Sequence, residues 1–103
     1  MEFIEAIAFT KHVYEYLSDD EYAGLQSYLL QYPKSGKVVP GSGGIRKVRW
    51  AIASKGKSGG VRVIYYFKKQ DIEIWLLTIY SKSEVENIPA YVLRQIAKEI
   101  ENG

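Results

Sequence analysis

The sequence predicts one α+β domain over residues 1–103, with an antiparallel sheet, helices on one side of it, and the element order β-α-α-β-β-β-α. Apolar residues recur at helical spacing towards both ends of the chain, whereas the middle holds runs rich in β-branched and aromatic residues. The chain has 103 residues and is 47% hydrophobic, which is enough for one core but too little for two domains.

A short strand and two helices are expected first. The apolar run FIEAIAF (3–9) predicts the strand, and a helical stripe beginning at Phe9 overlaps its end. Ser18 followed by Glu21 is a capping box, which predicts that a second helix begins there. Pro33 ends that helix because its ring cannot continue the hydrogen-bond ladder. The apolar positions of the two helices are Phe9, Val13, Tyr16, Leu17, Tyr22, Leu25, Leu29 and Tyr32.

Three strands and a last helix follow. KSGKVVPGSGG (34–44) is a loop by composition, and GIRKVRWAIA (44–53) then predicts a strand. A Gly/Lys-rich loop separates this strand from VRVIYYF (61–67), and IEIWLLTIY (72–80) completes a meander. A final helix is expected to begin near Pro89 with Asn87 as its cap.

The charge distribution is strongly uneven. Residues 34–69 hold ten basic residues and no acidic one, although the whole chain has a net charge of only +2. Such a block predicts a surface for a polyanion, with a merely solubilising surface as the plainer alternative. The ten residues are Lys34, Lys37, Arg46, Lys47, Arg49, Lys55, Lys57, Arg62, Lys68 and Lys69.

Composition and motifs exclude several chemistries. The chain has no cysteine and one histidine, so disulfides, thiolate metal sites and multi-histidine sites are excluded. The stretch GKS (56–58) is not a P-loop, because Ala51 stands where the first glycine belongs and the flanking segments are both predicted strands. The basic block has no carboxylate to hold Mg²⁺, so we expect no metal site and no cofactor. Neither a membrane helix nor a signal peptide is expected, which fits a cytoplasmic location.

The basic residues that remain suit metal-free handling of phosphate. Lys47 and Arg49 are two apart on a predicted strand and point the same way, and Arg62 opens the neighbouring strand. Such a cluster could stabilise charge on a phosphodiester while an RNA 2′-hydroxyl attacks it. A face that binds nucleic acid without catalysis would have the same residue types, and these alone do not separate the two.

Three stretches together resemble the RelE/ParE superfamily of bacterial toxins, most closely its HigB branch. They are GGIRKVRWA (43–51), GGVRVIYYF (59–67) and LLTIYSKSE (76–84), and the element order agrees over nearly the whole chain. The resemblance implies a ribosome-dependent endoribonuclease that cuts mRNA in the ribosomal A site. It also implies neutralisation by a HigA-type helix-turn-helix antitoxin. The alternatives are a ParE-like, non-enzymatic inhibitor of DNA gyrase and an RNA-binding relative without toxicity.

The resemblance also implies roles for individual residues. Lys47 and Arg49 match paired basic residues that contact RNA and assist proton transfer, Arg62 matches an arginine that stabilises the phosphate, and Lys82 matches a basic position after the last strand. The sequence departs from the RelE pattern at two places: Ser83 stands where RelE has an arginine, and the position of a RelE tyrosine falls near Pro89. The further RNA-binding candidates are Arg46, Lys55, Lys57 and, for base stacking, Tyr80.

Overall fold

A computed structural model describes residues 1–52, 60–81 and 88–103 of the chain. It confirms the α+β class, with a five-stranded sheet and three helices in these ranges. Among the described residues, no helix combines the length and the apolar character needed to cross a membrane. The elements are β1 (Glu2–Glu5), α1 (Ile7–Tyr16), α2 (Asp19–Gln31), β2 (Lys37–Val38), β3 (Arg46–Trp50), β4 (Val61–Lys68), β5 (Glu73–Ser81) and α3 (Ala90–Asn102).

The sheet is mixed rather than purely antiparallel. Its strand order is β1-β5-β4-β3-β2, and β1 pairs with β5 in parallel while the other neighbours are antiparallel. The prediction of an antiparallel sheet is therefore wrong at this edge. Short connections favour the meander β3-β4-β5. The pairing of β1 with β5 instead joins segments that are far apart in the chain, and local sequence patterns do not encode such a contact.

Two segments differ from their predicted state. The first strand ends at Glu5, and Ile7 already begins α1, so residues 7–9 of the predicted strand are helical. Phe9 belongs to this helix because it is buried together with Val13 one turn later. The predicted loop 34–44 contains the two-residue strand β2, which pairs with β3 at the other edge of the sheet.

The sheet is covered on both faces, so the prediction of helices on one side is wrong. Helices α1 and α2 pack on the face that carries Val61, Val63 and Tyr65 of β4, whereas α3 packs on the face that carries Ile64. β4 carries buried or half-buried apolar residues on both faces, and each of these apolar surfaces therefore needs a covering layer. We call these the α1/α2 face and the α3 face. The buried residues of the α3 face are Ile45, Ile64, Leu77, Tyr80, Leu93, Ala97 and Ile100.

The two predicted helix caps have different outcomes. The capping box before α2 is confirmed, since the Ser18 side chain accepts from the Glu21 amide and the Glu21 carboxylate accepts from the Ser18 amide. Helix α3 begins one residue after Pro89, which is itself the N-cap and makes no side-chain capping bond. The expected cap Asn87 lies outside the described residues.

An irregularity between β4 and β5 sets the alignment of the first half of β4 with the second half of β5. Ile64 is opposite Thr78 while Tyr65 is opposite Leu76, so β5 has one extra residue, Leu77, at this point. This β-bulge shifts the pairing so that Tyr80, rather than Ile79, lies opposite Arg62. It therefore brings a tyrosine to the face of the sheet on which Arg62 lies.

Candidate nucleic-acid interface

Strand register brings four cationic side chains to one region of the α3 face. Arg49 is opposite Arg62, and Lys37 is opposite Lys47. Directly opposed residues on antiparallel strands point to the same side of a sheet. Because Lys47 is in turn opposite Ile64 of the α3 face, all four cations lie on that face.

These cations line a groove of about 470 Å³ at the β2 edge of the sheet, formed by residues 35–37, residues 47–49 and Arg62. We call it the cationic groove. Lys37, Lys47 and Arg49 are exposed, and Arg62 is half-buried. Four cations around one groove provide donors for phosphate oxygens, and the two guanidinium groups can each bind a phosphate in bidentate fashion.

The rim of the groove at residues 33–36 is held by two side chains from the opposite face. The Tyr65 hydroxyl donates to the Pro33 carbonyl at 2.8 Å and accepts from the Gly36 amide at 2.9 Å. The Arg46 guanidinium donates from Nη1 to the carbonyl oxygens of Lys34 and Gly36, at 3.0 and 2.7 Å. These bonds fix the turn that carries Ser35 and Lys37 to the groove.

Arg46 lies on the other face of the sheet from the four cations of the groove. It is opposite Tyr65, which lies on the α1/α2 face, so its side chain points away from the other four cations. Its Nη1 is engaged by two carbonyl groups of the turn. Its contacts are those of a residue that supports the rim, and the expected contact of Arg46 with RNA stays a prediction.

Tyr80 lies beside Arg62, as its pairing requires, but its ring is largely covered. Only 9% of the residue is exposed, and it belongs to the buried cluster under α3. A ring covered to this extent has little surface on which a base could stack, and the expected stacking role of Tyr80 stays a prediction. Tyr80 is not among the described residues that line the groove, and its pairing with Arg62 is what connects it to the groove.

Three predicted site residues lie outside the described part of the chain. They are Lys55 and Lys57 of the Gly/Lys-rich loop and Lys82 after β5. Conversely, the structure adds Lys37 to the candidate site. Lys37 belongs to the basic block, but the sequence predicts a loop at its position. Its pairing with Lys47 depends on the two-residue strand β2, and a strand this short leaves no period-two pattern in the sequence.

Among the described residues, no carboxylate lines the groove. Residues 34–69 include no aspartate or glutamate at all. Within the described ranges, no group of three His, Cys, Asp or Glu side chains is arranged to hold a metal ion. The groove is thus lined by arginine, lysine and the turn 35–37, and a positively charged cleft of this kind is suited to an anion.

The mixed sheet, the helical hairpin on one face and the single helix on the other define a RelE-like α+β fold with a basic groove on its α3 face. The chain is similar to the Escherichia coli toxin RelE, solved in the free state as a double arginine-to-alanine variant, with a TM-score of 0.59. The alignment covers 93% of this chain and 95% of RelE at 13% sequence identity. No protein-family model matches the chain. The expected RelE-like fold is confirmed, whereas the HigB branch stays a prediction.

Proposed function

We propose that this protein is the toxin of a type II toxin-antitoxin system and that it cuts mRNA bound to the ribosome. The observation that carries the proposal is the register that opposes Arg49 to Arg62 and Lys37 to Lys47 within one groove. The RelE-like fold supports the same function, since the fold resembles that of a known toxin. Its partner would be a HigA-type helix-turn-helix antitoxin, as the resemblance in sequence implies, and its site of action the cytoplasm.

The groove is suited to a cleavage in which RNA supplies its own nucleophile. The 2′-oxygen forms a bond to the adjacent phosphorus, the bond from phosphorus to the 5′-oxygen breaks, and a 2′,3′-cyclic phosphate and a 5′-hydroxyl result. The 2′-hydroxyl loses a proton and the leaving 5′-oxygen gains one, so the reaction is balanced without another reactant. The protein has to hold the nucleotide, assist these proton transfers and stabilise the additional negative charge on the phosphate.

Arg62 is the residue to which we assign the phosphate. It is half-buried and borders the apolar cluster of the α3 face, where an ionic contact is screened less than in open water. Arg49 on the next strand provides a second guanidinium group for the same phosphate or its neighbour. Lys47 and Lys82 complete the proposed catalytic set, and we assign RNA backbone contacts to Lys37, Lys55 and Lys57.

The test is cleavage of a defined mRNA on purified ribosomes, mapped by primer extension, with a lane that lacks ribosomes. The wild-type protein is expected to cut within the A-site codon only when ribosomes are present. Arg62→Ala should lower the cleavage rate by about 100- to 1,000-fold, the usual effect of removing one preorganised donor to a transition-state charge. Arg62→Lys keeps the charge but loses the planar fork, so an intermediate rate is expected.

Arg94→Ala is the matched control, because Arg94 is an exposed arginine on α3 and does not line the groove. It should cut at the wild-type rate. Normal cleavage by Arg62→Ala would reject the assigned site, while the function would stand. Absence of cleavage by folded wild-type protein would reject the nuclease, and inhibition of DNA gyrase supercoiling in a parallel assay would then identify the ParE-like alternative.

A further inference from the structure

An aromatic surface lies close to the cationic groove, at the end of α2. The rings of Tyr28 and Tyr32 are 5.4 Å apart between centroids, and Tyr28 in turn contacts Trp50 at 5.3 Å. Tyr32 is 52% exposed, and Tyr28 is half-buried. We call Tyr28 and Tyr32 the tyrosine platform. The platform forms one wall of an open surface hollow of about 640 Å³, completed by residues 33–35.

The hollow and the cationic groove share a residue. Ser35 lines both, so the turn 33–36 joins the groove on the α3 face to the platform on the α1/α2 side, and a strand that continues across this turn reaches the platform. The turn is rigidly attached, because Tyr65 and Arg46 hold it by four hydrogen bonds to main-chain atoms. The distance between the two surfaces is therefore set by the fold rather than by a loose loop.

The charges around the platform favour an anionic strand that arrives from the groove. Lys34 lines the hollow, and no acidic residue occurs between positions 34 and 69. The acidic residues of α2 are in its first turn, at the far end of the helix from Tyr28 and Tyr32. The platform itself lies at the carboxyl end of α2, where the helix dipole is negative and does not favour phosphate. An uncharged base suits that position, and the phosphates on either side suit Lys34 and the groove.

We propose that the tyrosine platform is a second subsite for single-stranded RNA, which stacks an unpaired base of the strand whose backbone lies in the cationic groove. The inference rests on the proposed function, since it takes RNA as the ligand of the groove. Aromatic rings beside a cationic track are the usual means of binding single strands, and the stacking tolerates any base. The platform would thus add affinity and fix the register of the strand without selecting its sequence.

The experiment uses short single-stranded RNA with a 2′-O-methyl group at every nucleotide, which prevents cleavage, and 2-aminopurine at one position at a time. Stacking on tyrosine quenches the fluorescence of 2-aminopurine. With wild-type protein we expect strong quenching at one defined position and weaker quenching elsewhere. Tyr32→Ala should abolish that quenching and weaken RNA binding by about 5- to 20-fold, near the lower end for one stacked base.

Two variants serve as controls. Tyr32→Phe keeps the ring and removes the hydroxyl group, so it should retain both quenching and affinity. Tyr14→Ala removes a tyrosine of similar exposure (60%) from α1, away from the hollow, and should bind RNA like the wild type. A thermal melt of each variant checks that the fold is intact.

The outcomes separate the subsite from the proposed function. If Tyr32→Ala binds and quenches like the wild type while Arg62→Ala loses ribosomal cleavage, the subsite is rejected and the nuclease stands. If the wild type neither binds the RNA nor cuts on ribosomes, both are rejected. Unchanged RNA binding by Tyr32→Ala, with weakened binding of the cognate antitoxin, would also overturn the proposal and assign the platform to a protein partner.

Discussion

Arg49 and Arg62 occupy directly opposed positions on β3 and β4, so two guanidinium side chains extend side by side from the α3 face. Side chains at directly opposed positions share one side of the sheet. An anion that binds between them gains two donors whose separation is set by the sheet. The arrangement therefore favours binding of a phosphate.

Replacing Arg49 should separate stability from activity. Arg49 is exposed, so Arg49→Thr should change the free energy of unfolding by no more than about 0.5 kcal/mol. The same variant should lose most of its cleavage activity, because one of the two guanidinium groups proposed for the phosphate is gone. Urea denaturation measures the first effect, and the ribosome cleavage assay measures the second. Normal cleavage by a stably folded Arg49→Thr protein would contradict this account.

Lys37 should contribute to RNA affinity only by contacting the sugar-phosphate backbone of the RNA. Each phosphate contact to a single strand contributes about 0.7 to the slope of log affinity against log salt concentration. We therefore expect Lys37→Ala to weaken binding of a 2′-O-methyl RNA for every sequence tested and to reduce the slope by about 0.7. Fluorescence anisotropy at several NaCl concentrations measures both. Lys11→Ala on α1 removes an exposed lysine elsewhere and should leave the slope unchanged.

Gly36 should resist substitution because the turn packs against Tyr65. A Cβ at Gly36 would lie 2.8 Å from the Tyr65 ring and 3.0 Å from the Lys47 carbonyl oxygen. We expect Gly36→Ala to lower the free energy of unfolding by about 1–3 kcal/mol and to reduce cleavage, since the rim of the groove must move.

Gly24→Ala is the matched control for this steric effect. Gly24 lies inside α2, and its Cβ would be 3.7 Å from the Trp50 ring, an ordinary contact. Alanine in a helix interior should raise stability by up to about 1 kcal/mol. Thermal unfolding of both variants tests the pair, and equal destabilisation by the two substitutions would show that Tyr65 is not the obstacle.

Tyr66 should make stability decline at alkaline pH. Burial, together with the hydrogen bond that its hydroxyl donates to Glu101 at 2.6 Å, raises the pKa of Tyr66 to about 12. In the unfolded chain a tyrosine pKa is about 10, so the neutral form favours the folded state. This contribution is complete below about pH 10 and is lost as the pH rises towards 12.

Tyr66→Phe cannot ionise, so its unfolding free energy should fall less steeply than that of the wild type over this alkaline range. Tyr91→Phe is the control, since Tyr91 is 68% exposed on α3 and its loss should leave the slope unchanged. The measurement is urea denaturation at pH intervals. Parallel curves for Tyr66→Phe and the wild type would refute the assignment of this linkage to Tyr66.

Several features could be predicted because they depend on neighbours in sequence. The capping box of Ser18 and Glu21 sets the start of α2, and the runs around Arg46 and Arg62 form strands through the preferences of their own residues. The shared face of Lys47 and Arg49 follows from the two-residue period of any strand. Apolar residues on both faces of β4 are also visible in VRVIYYF, and Ile64 and Tyr66 indicate the second helical layer that the prediction omitted.

The sequence by itself determined the α+β class, most helix and strand positions and the acid-free basic block, since these are local patterns. Tertiary structure alone decided that β1 joins β5, that α3 covers the opposite face, and that Lys37 enters the groove while Arg46 turns away from it. The extra residue at Leu77 decided that Tyr80 lies beside Arg62. The physical reason is that strand register depends on pairing between distant segments, and a shift of one residue moves a side chain to the other face of the sheet.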